Sequence, residues 1–217
     1  MTTVNVFDQL ASVALVVRRC PTPTLRRAYV KAMRDWCAET RWLRVQIPGA
    51  TVVNQPLYSL GSDSYTEIIA IHAMSGTDTS RSAPEAFPIF PGDSGGWNPN
   101  VQAGRPRQYA YVPEGQFALW QVPDKVYSLT VTAVIQPKDE VAQIPSEPLK
   151  KYSTGFEAGA LMHLLRIPGQ PWTDQTLASK VYEPIWNSSV SNGKAEAQRS
   201  FNSGSQRVKP RAFVTGR

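Results

Sequence analysis

Cysteine and histidine are nearly absent from this chain of 217 residues, which holds only Cys20, Cys37, His72 and His163. Two thiols cannot supply a disulfide framework for so long a chain. Both sit within helical sequence pattern, so buried free thiols in a reducing cytoplasm are expected. His163, in "ALMHLLRI", has no second histidine, cysteine pair or carboxylate at ligand spacing, which points to a core or interface histidine and to no metal site. Long apolar runs are missing as well. No stretch approaches the roughly 18 residues a membrane helix needs, and the opening "MTTVNVFDQL" lacks the charged flank of a signal peptide, so a protein soluble where it is made is expected. Neither a Walker-type nor a dinucleotide glycine loop occurs, because "GALMHLLRIPG" has no lysine and no preceding strand. No cofactor is therefore expected.

Charge of one sign is missing in places. Residues 199–217 carry five basic groups and no acid, and residues 18–44 carry eight basic groups against two acidic ones. Residues 1–17 hold Asp8 alone, which leaves −4 for residues 45–198 within a total of +6. Basic patches near each end of an otherwise acidic chain favour docking to acidic surfaces over general coating of nucleic acid. Hydrophobic residues at 41% and charged ones at 18% are ordinary for a globular protein, whereas 18 prolines and 14 glycines predict long ordered loops or a β-rich section.

Periodicity divides the chain. Leu25, Ala28, Tyr29, Ala32, Met33, Trp36 and Cys37 recur at helical spacing and form one apolar face; Thr22 or Thr24 can cap this helix and Pro23 suits its first turn. Phe7, Leu10, Ala11, Ala14 and Val17 predict a preceding helix that stops before Pro21, so "CPTPT" joins a helical hairpin. From Trp42 to Pro145 the period shortens. "WLRVQI", "TEIIAIHAM", "RQYAYV", "FALWQV" and "YSLTVTAVI" read as strands, the last with Tyr127, Leu129, Val131, Ala133 and Ile135 on one face and an end at Pro137. The polar segment 75–100 reads as a loop. Helical pattern returns at Leu149, ends at Pro168–Gly169, and restarts with Thr173 as cap and Trp172 and Leu177 as an apolar staple; Pro184 should kink that last helix near Lys180. The expected fold class is α+β. Helices from both ends (1–41 and 146–203) form a bundle, an antiparallel β domain (42–145) is inserted, and an extended basic arm (204–217) follows.

Chemistry is sparse. "GDSGG" at Gly92–Gly96 matches the nucleophile loop of chymotrypsin-like proteases and would name Ser94, but that mechanism needs a histidine base and an orienting aspartate. The only upstream histidine, His72, lies 22 residues before Ser94 in strand pattern, too close for a half barrel between them. A tight glycine-rich loop is the plainer reading, and no enzyme is expected. Arg18, Arg19, Arg26, Arg27, Lys31, Arg34, Arg41 and Arg44 could neutralise phosphate, yet no helix-turn-helix spacing accompanies them. A solvated face or an interface with acidic residues of a neighbouring copy fits better, with Arg26, Arg27 and Arg34 as its candidates. In the tail, Arg207, Lys209 and Arg211 alternate with Val208, Pro210, Phe213 and Val214, as suits an extended segment added to a partner's groove or sheet edge.

Four blocks of sequence resemble the head-to-tail connector, or portal adaptor, proteins of tailed bacteriophages. They are the amphipathic helix running into "WCAETRWLRVQIPG", the strands of "GRPRQYAYVPEGQFALWQVPDKVYSLTVTAVIQP", the helices of "YSTGFEAGALMHLLRIPGQPWTDQTLASKVYEPIW", and the basic tail "RVKPRAFV". The third, with "LLRIPGQPWTD" followed by "LA", is the most specific; "GDSGG" lies outside the likeness. The resemblance implies a virion neck protein, assembled from the host cytoplasm, about a dozen copies of which close into a ring under the portal protein. Its arm would clasp portal subunits through Arg207, Lys209, Arg211, Phe213 and Val214, and its β section would face a tail nozzle or tail tube protein. Genome DNA would pass through the channel without sequence-specific binding, and no membrane would be involved. The alternative is a nucleic-acid-binding packaging accessory protein.

Overall fold

The amphipathic periods become elements in a computed structural model that describes residues 2–80, 82–92, 103–112 and 115–202. In chain order these are β1 (Thr3–Asn5), a 3₁₀ turn (Val6–Gln9), α1 (Ala11–Val16), α2 (Thr22–Thr40), β2 (Arg44–Ala50), β3 (Leu57–Ser59), β4 (Thr66–Asp78) and β5 (Glu85–Pro91). There follow β6 (Gln108–Val112), β7 (Gln116–Trp120), β8 (Ser128–Pro137), β9 (Gln143–Pro145), α3 (Leu149–Leu165), the single turn α4 (Gln175–Leu177), a π-helical turn (Ala178–Tyr182) and α5 (Glu183–Asn202).

Seven strands form one sheet in the order β2-β8-β4-β5-β6-β7-β3, and β1 and β9 form a second, two-stranded one. All pairings in the large sheet are antiparallel except β5 with β6, which run parallel through Phe90–Gln108 and Pro91–Tyr109. The expected helical bundle with an antiparallel insertion is thereby overturned. The molecule is mostly β, a curled seven-stranded sheet plus a second sheet, with helix in only about 38% of it. The physical reason lies in the core. Trp36, Phe156 and Leu164 share one apolar cluster with Leu43, Ile135 and Ile144, and Val45 and Ile68 pack against it. The helices thus bury their faces on strand ends as well as on one another, and the N-terminal segment contributes a strand to β9 where a bundle helix was expected.

Local expectations fare unevenly, for identifiable reasons. Helix α2 has its predicted apolar face buried, with Trp36 and Cys37 fully enclosed. Its N-cap is Pro21 and neither threonine caps it, although Pro23 does sit in the first turn. The helix over residues 7–17 is broken into the 3₁₀ turn and the short α1, because Asn5 Oδ1 accepts from Phe7 N at 3.0 Å and starts the turn early. Tyr127 and, within β8, Leu129, Val131, Ala133 and Ile135 are buried as predicted, but from Ala133 to Pro137 the strand is buried on both faces and the alternation ends, because the helices cover its second face there. Segment 75–100 is not a loop throughout, since β4 runs on to Asp78 and β5 pairs with it from Met74–Ile89 to Asp78–Glu85. Asp174 displaces Thr173 as cap of the last helical stretch: its Oδ1 accepts from Leu177 N at 2.9 Å, while the Thr173 hydroxyl donates back to Ile167 O. Pro184, which cannot donate to a carbonyl four residues back, is separated only by Glu183 from the π turn Ala178–Tyr182, the helical irregularity that includes Lys180.

Two close approaches fix the helix packing. A Cβ on Gly159 would lie 2.5 Å from the Trp186 ring, and one on Gly193 would lie 2.6 Å from Trp36, so α5 can rest on α3 and α2 only where these side chains are missing. Both free edges of the large sheet are blunted. On β2 the residues whose N–H groups face outward alternate with those bonded to β8, as Ile135 N to Leu43 O and Thr51 N to Tyr127 O fix the phase. Pro48 therefore falls on the outward side, where its missing N–H interrupts the edge. On β3 the outward Leu57 carbonyl is taken by Gln55 Nε2 at 2.8 Å.

Candidate functional site: the basic face of α2 and the cleft at its end

Because α2 is amphipathic, burying its apolar face turns its cations outward along one stripe. Arg27, Arg34 and Arg41 follow one another at seven-residue spacing. The structure gives the first two acidic partners within their own chain. Arg27 meets Glu140 at 2.6 Å, and Arg34 bridges Glu67 at 2.9 Å and Asp139 at 2.7 Å. Glu67 also accepts from Gln136 Nε2 at 2.6 Å, so Arg34, whose side chain is only 22% exposed, ties α2 to the start of β4 and the β8–β9 turn. Arg27, 70% exposed, makes a surface pair of small energetic weight. Arg26 instead lies 5.9 Å from the Phe7 ring centroid, with its Nε buried and unpartnered.

The third member of the stripe does something else. Arg41 ends α2 in the left-handed region at φ 51°, its N–H donating to Cys37 O at 2.9 Å. There it borders a cleft of about 420 Å³ lined by Glu39, Thr40, Arg41, Arg44, His72, Lys194, Ala197 and Gln198. Arg44 is held across it by Nε to Arg41 O at 3.0 Å and Nη2 to Ala197 O at 3.3 Å. His72 arrives by a bulge. The register of β4 against β8 slips between Ile71 and Ala73, so His72 is an extra residue unmatched on β8. Burial, then the Arg44 and Arg41 charges, lower the His72 pKa below its ordinary value, and burial lowers that of Arg44. Lys194 pairs with Glu39 at 2.9 Å, which leaves the cleft with an excess of positive charge. Sequence reasoning missed this convergence of α2, β2, β4 and α5; a lone histidine in strand pattern and a lone lysine in the last helix gave no sign of it.

The remaining candidates are placed plainly. His163 is largely buried, with Nε2 3.2 Å from Asp35 Oδ2 but outside hydrogen-bond geometry, and its pKa is lowered by burial first and by Lys31 next, against the opposing pull of Asp35. Burial pushes the Cys37 thiol up to about 12 and raises that of the half-buried Cys20, so neither is a ready nucleophile. Among the described residues no group of three or more His, Cys, Asp or Glu side chains could hold a metal ion, and no helix is long and apolar enough to cross a membrane. Ser94, and the arm residues Arg207, Lys209, Arg211, Phe213 and Val214, lie outside the described residues.

With helices packed on one end of the sheet, charged tethers and no catalytic group assembled among the described residues, sequence kinship decides. The family model for the SU10 adaptor protein matches residues 5–209. The chain belongs to the SU10 adaptor family. The match covers the helices and strands β2 to β9 and reaches into the basic tail, and it makes this chain a bacteriophage structural adaptor of the head–tail kind, a component of virion assembly. Membership of a structural family argues against an enzyme, and for association with portal and tail proteins. No curated protein matches the chain.

Proposed function

We propose that this adaptor is a neck protein that closes into a ring of about a dozen copies and joins the capsid portal to the tail. Its residues 204–217 act as an arm that clasps portal subunits. Arg207, Lys209 and Arg211 supply charge contacts there, and Phe213 and Val214 anchor in apolar pockets. Arg26, Arg27 and Arg34 lie at or near the contact between neighbouring copies, the β section faces the tail nozzle or tube, and genome DNA passes through the channel without being read. The observation that carries the proposal is the family match over residues 5–209, whose members are adaptors. Physical argument supports it in two ways. A head-to-tail contact between identical subunits must close into a ring to avoid a filament, and a symmetric portal supplies the template. An acid-free arm with few apolar residues gains most by burying them on a partner, so its contact forms when that partner is present.

Deleting residues 205–217 tests it. The shortened chain should keep its fold by circular dichroism and lose co-purification with the portal of its phage; retained binding would refute the arm. Binding to DNA that falls steeply with salt, in place of binding to portal, would favour the packaging-accessory alternative, because release of counterions from phosphates gives that slope.

A further inference from the structure

Beside the cleft at the end of α2 lies the part of the β2 edge that Pro48 does not interrupt. Arg44 both lines the cleft and begins the edge strand β2. The pairing phase that turns Pro48 outward also turns outward the N–H and carbonyl groups of Arg44 and Gln46, and no described backbone group bonds them there. Outward donors and acceptors on a strand accept a further strand, and Pro48 limits the usable length to the Arg44–Ile47 half. Next to that half stand Arg41, Arg44 and Lys194, and among the described residues that line the cleft Glu39 alone opposes them.

We propose that this corner is a docking site for a short, extended, acidic segment of a partner protein. Its backbone pairs with β2 at Arg44 and Gln46, and its carboxylates enter the cleft beside Arg41, Arg44 and Lys194. Charge complementarity selects the acidic character. The edge selects a peptide over a phosphate chain, because nucleic acid has no alternating amide donors and acceptors to match a strand. Guanidinium groups suit carboxylates by geometry as well as charge. The residues involved are separate from the C-terminal arm, so this site and the arm can fail independently.

The test uses the full-length chain and a fluorescein-labelled hexapeptide alternating glutamate and valine, read by fluorescence anisotropy. Its controls are the lysine–valine counterpart and the glutamate peptide N-methylated at alternate residues. Arg41→Gly suits the left-handed backbone and removes one charge, and Lys194→Gln removes another at an exposed pair. The glutamate peptide should bind at least about tenfold more tightly than the lysine peptide, N-methylation should weaken it about tenfold, and each variant should weaken it several-fold. Equal binding of the two peptides, or indifference to both variants, overturns the proposal. A blunt DNA duplex that binds more tightly than the peptide and is lost in Arg41→Gly would assign the cleft to phosphate. Self-association abolished by Arg41→Gly would assign it to a second copy of this chain. Either result also overturns the proposal.

Discussion

The proximal half of the molecule, beside the helices, and the distal half, at the far end of the large sheet, are held together by different means. Near the helices one apolar cluster dominates, and Trp36 sits in it with its ring centroid 4.7 Å from that of Tyr152, 5.3 Å from Phe156 and 5.9 Å from Trp42. At the far end of the sheet a smaller cluster of Phe87, Tyr109, Phe117, Leu119, Tyr127 and Leu129 is closed over by polar bridges. Lys125 Nζ meets Asp78 Oδ2 at 2.7 Å and Ser80 Oγ at 2.8 Å, Ser80 Oγ donates to Asp78 Oδ1 at 2.6 Å, and Tyr127 donates to Asp124 at 2.7 Å. Val52, Val53 and Val126 stay exposed on the loops there. A broad core resists change as a unit, whereas a small core tied by side-chain bridges can loosen by itself.

Four changes sharpen or break this contrast, and they are ordered here by expected effect. Trp36→Ala removes the centre of the proximal core and the Nε1 donor to Ser189 O, so it should destabilise the whole chain by about 3–5 kcal/mol in urea titrations. A loss confined to the helices would show that they are a separate unit. Asp78→Asn should act on the tip alone, raising amide exchange around residues 78–80 and 122–128 while α2 and α3 stay protected. Hydrogen bonds from Lys125 and Ser80 hold the Asp78 pKa well below its ordinary 3.8. The stability it contributes is thus complete above about pH 3.8 and drains away as pH falls further, so acid should open the tip first.

His163 makes a smaller, opposite-charge case. Its folded pKa is depressed below 6.5 by burial and Lys31, with Arg166 adding to this and Asp35 opposing it. Its contribution is therefore complete above about pH 6.5 and declines as pH falls through that value, so the melting temperature should drop between about pH 7.5 and pH 5.5, and less so in His163→Gln. An equal drop in the variant would place the titration elsewhere. Arg27→Gln should change stability by no more than about 0.5 kcal/mol, because its pair with Glu140 is exposed on both sides.

What the sequence made legible follows the range of the interactions. The faces of α2 and β8 are local periodicities and could be read directly, and α3 shows as helical pattern from Leu149. The pairing of β1 with β9 could not, because it joins residues 140 apart through contacts such as Thr3 Oγ1 to Gln143 Oε1 at 2.7 Å. Strand β5 was hidden because Pro88 and Pro91 break its pattern and only Phe87 and Ile89 are buried. At the candidate site, the cations of α2 were plain from composition. Their partners Glu67, Asp139 and Glu140, and the approach of His72 and Lys194 to Arg41, are products of the sheet and its bulge. Long-range strand pairing is what the helical-bundle expectation lacked.

The central claim is that the C-terminal segment completes its contacts on another polypeptide while the sheet and helices hold it in place. Cryo-electron microscopy of the full-length chain bound to the portal of its phage tests this most directly. The account predicts residues 205–217 lying on portal subunits, with Phe213 and Val214 in their pockets. Finding those residues packed only against their own subunit, with no portal chain in contact, would contradict it.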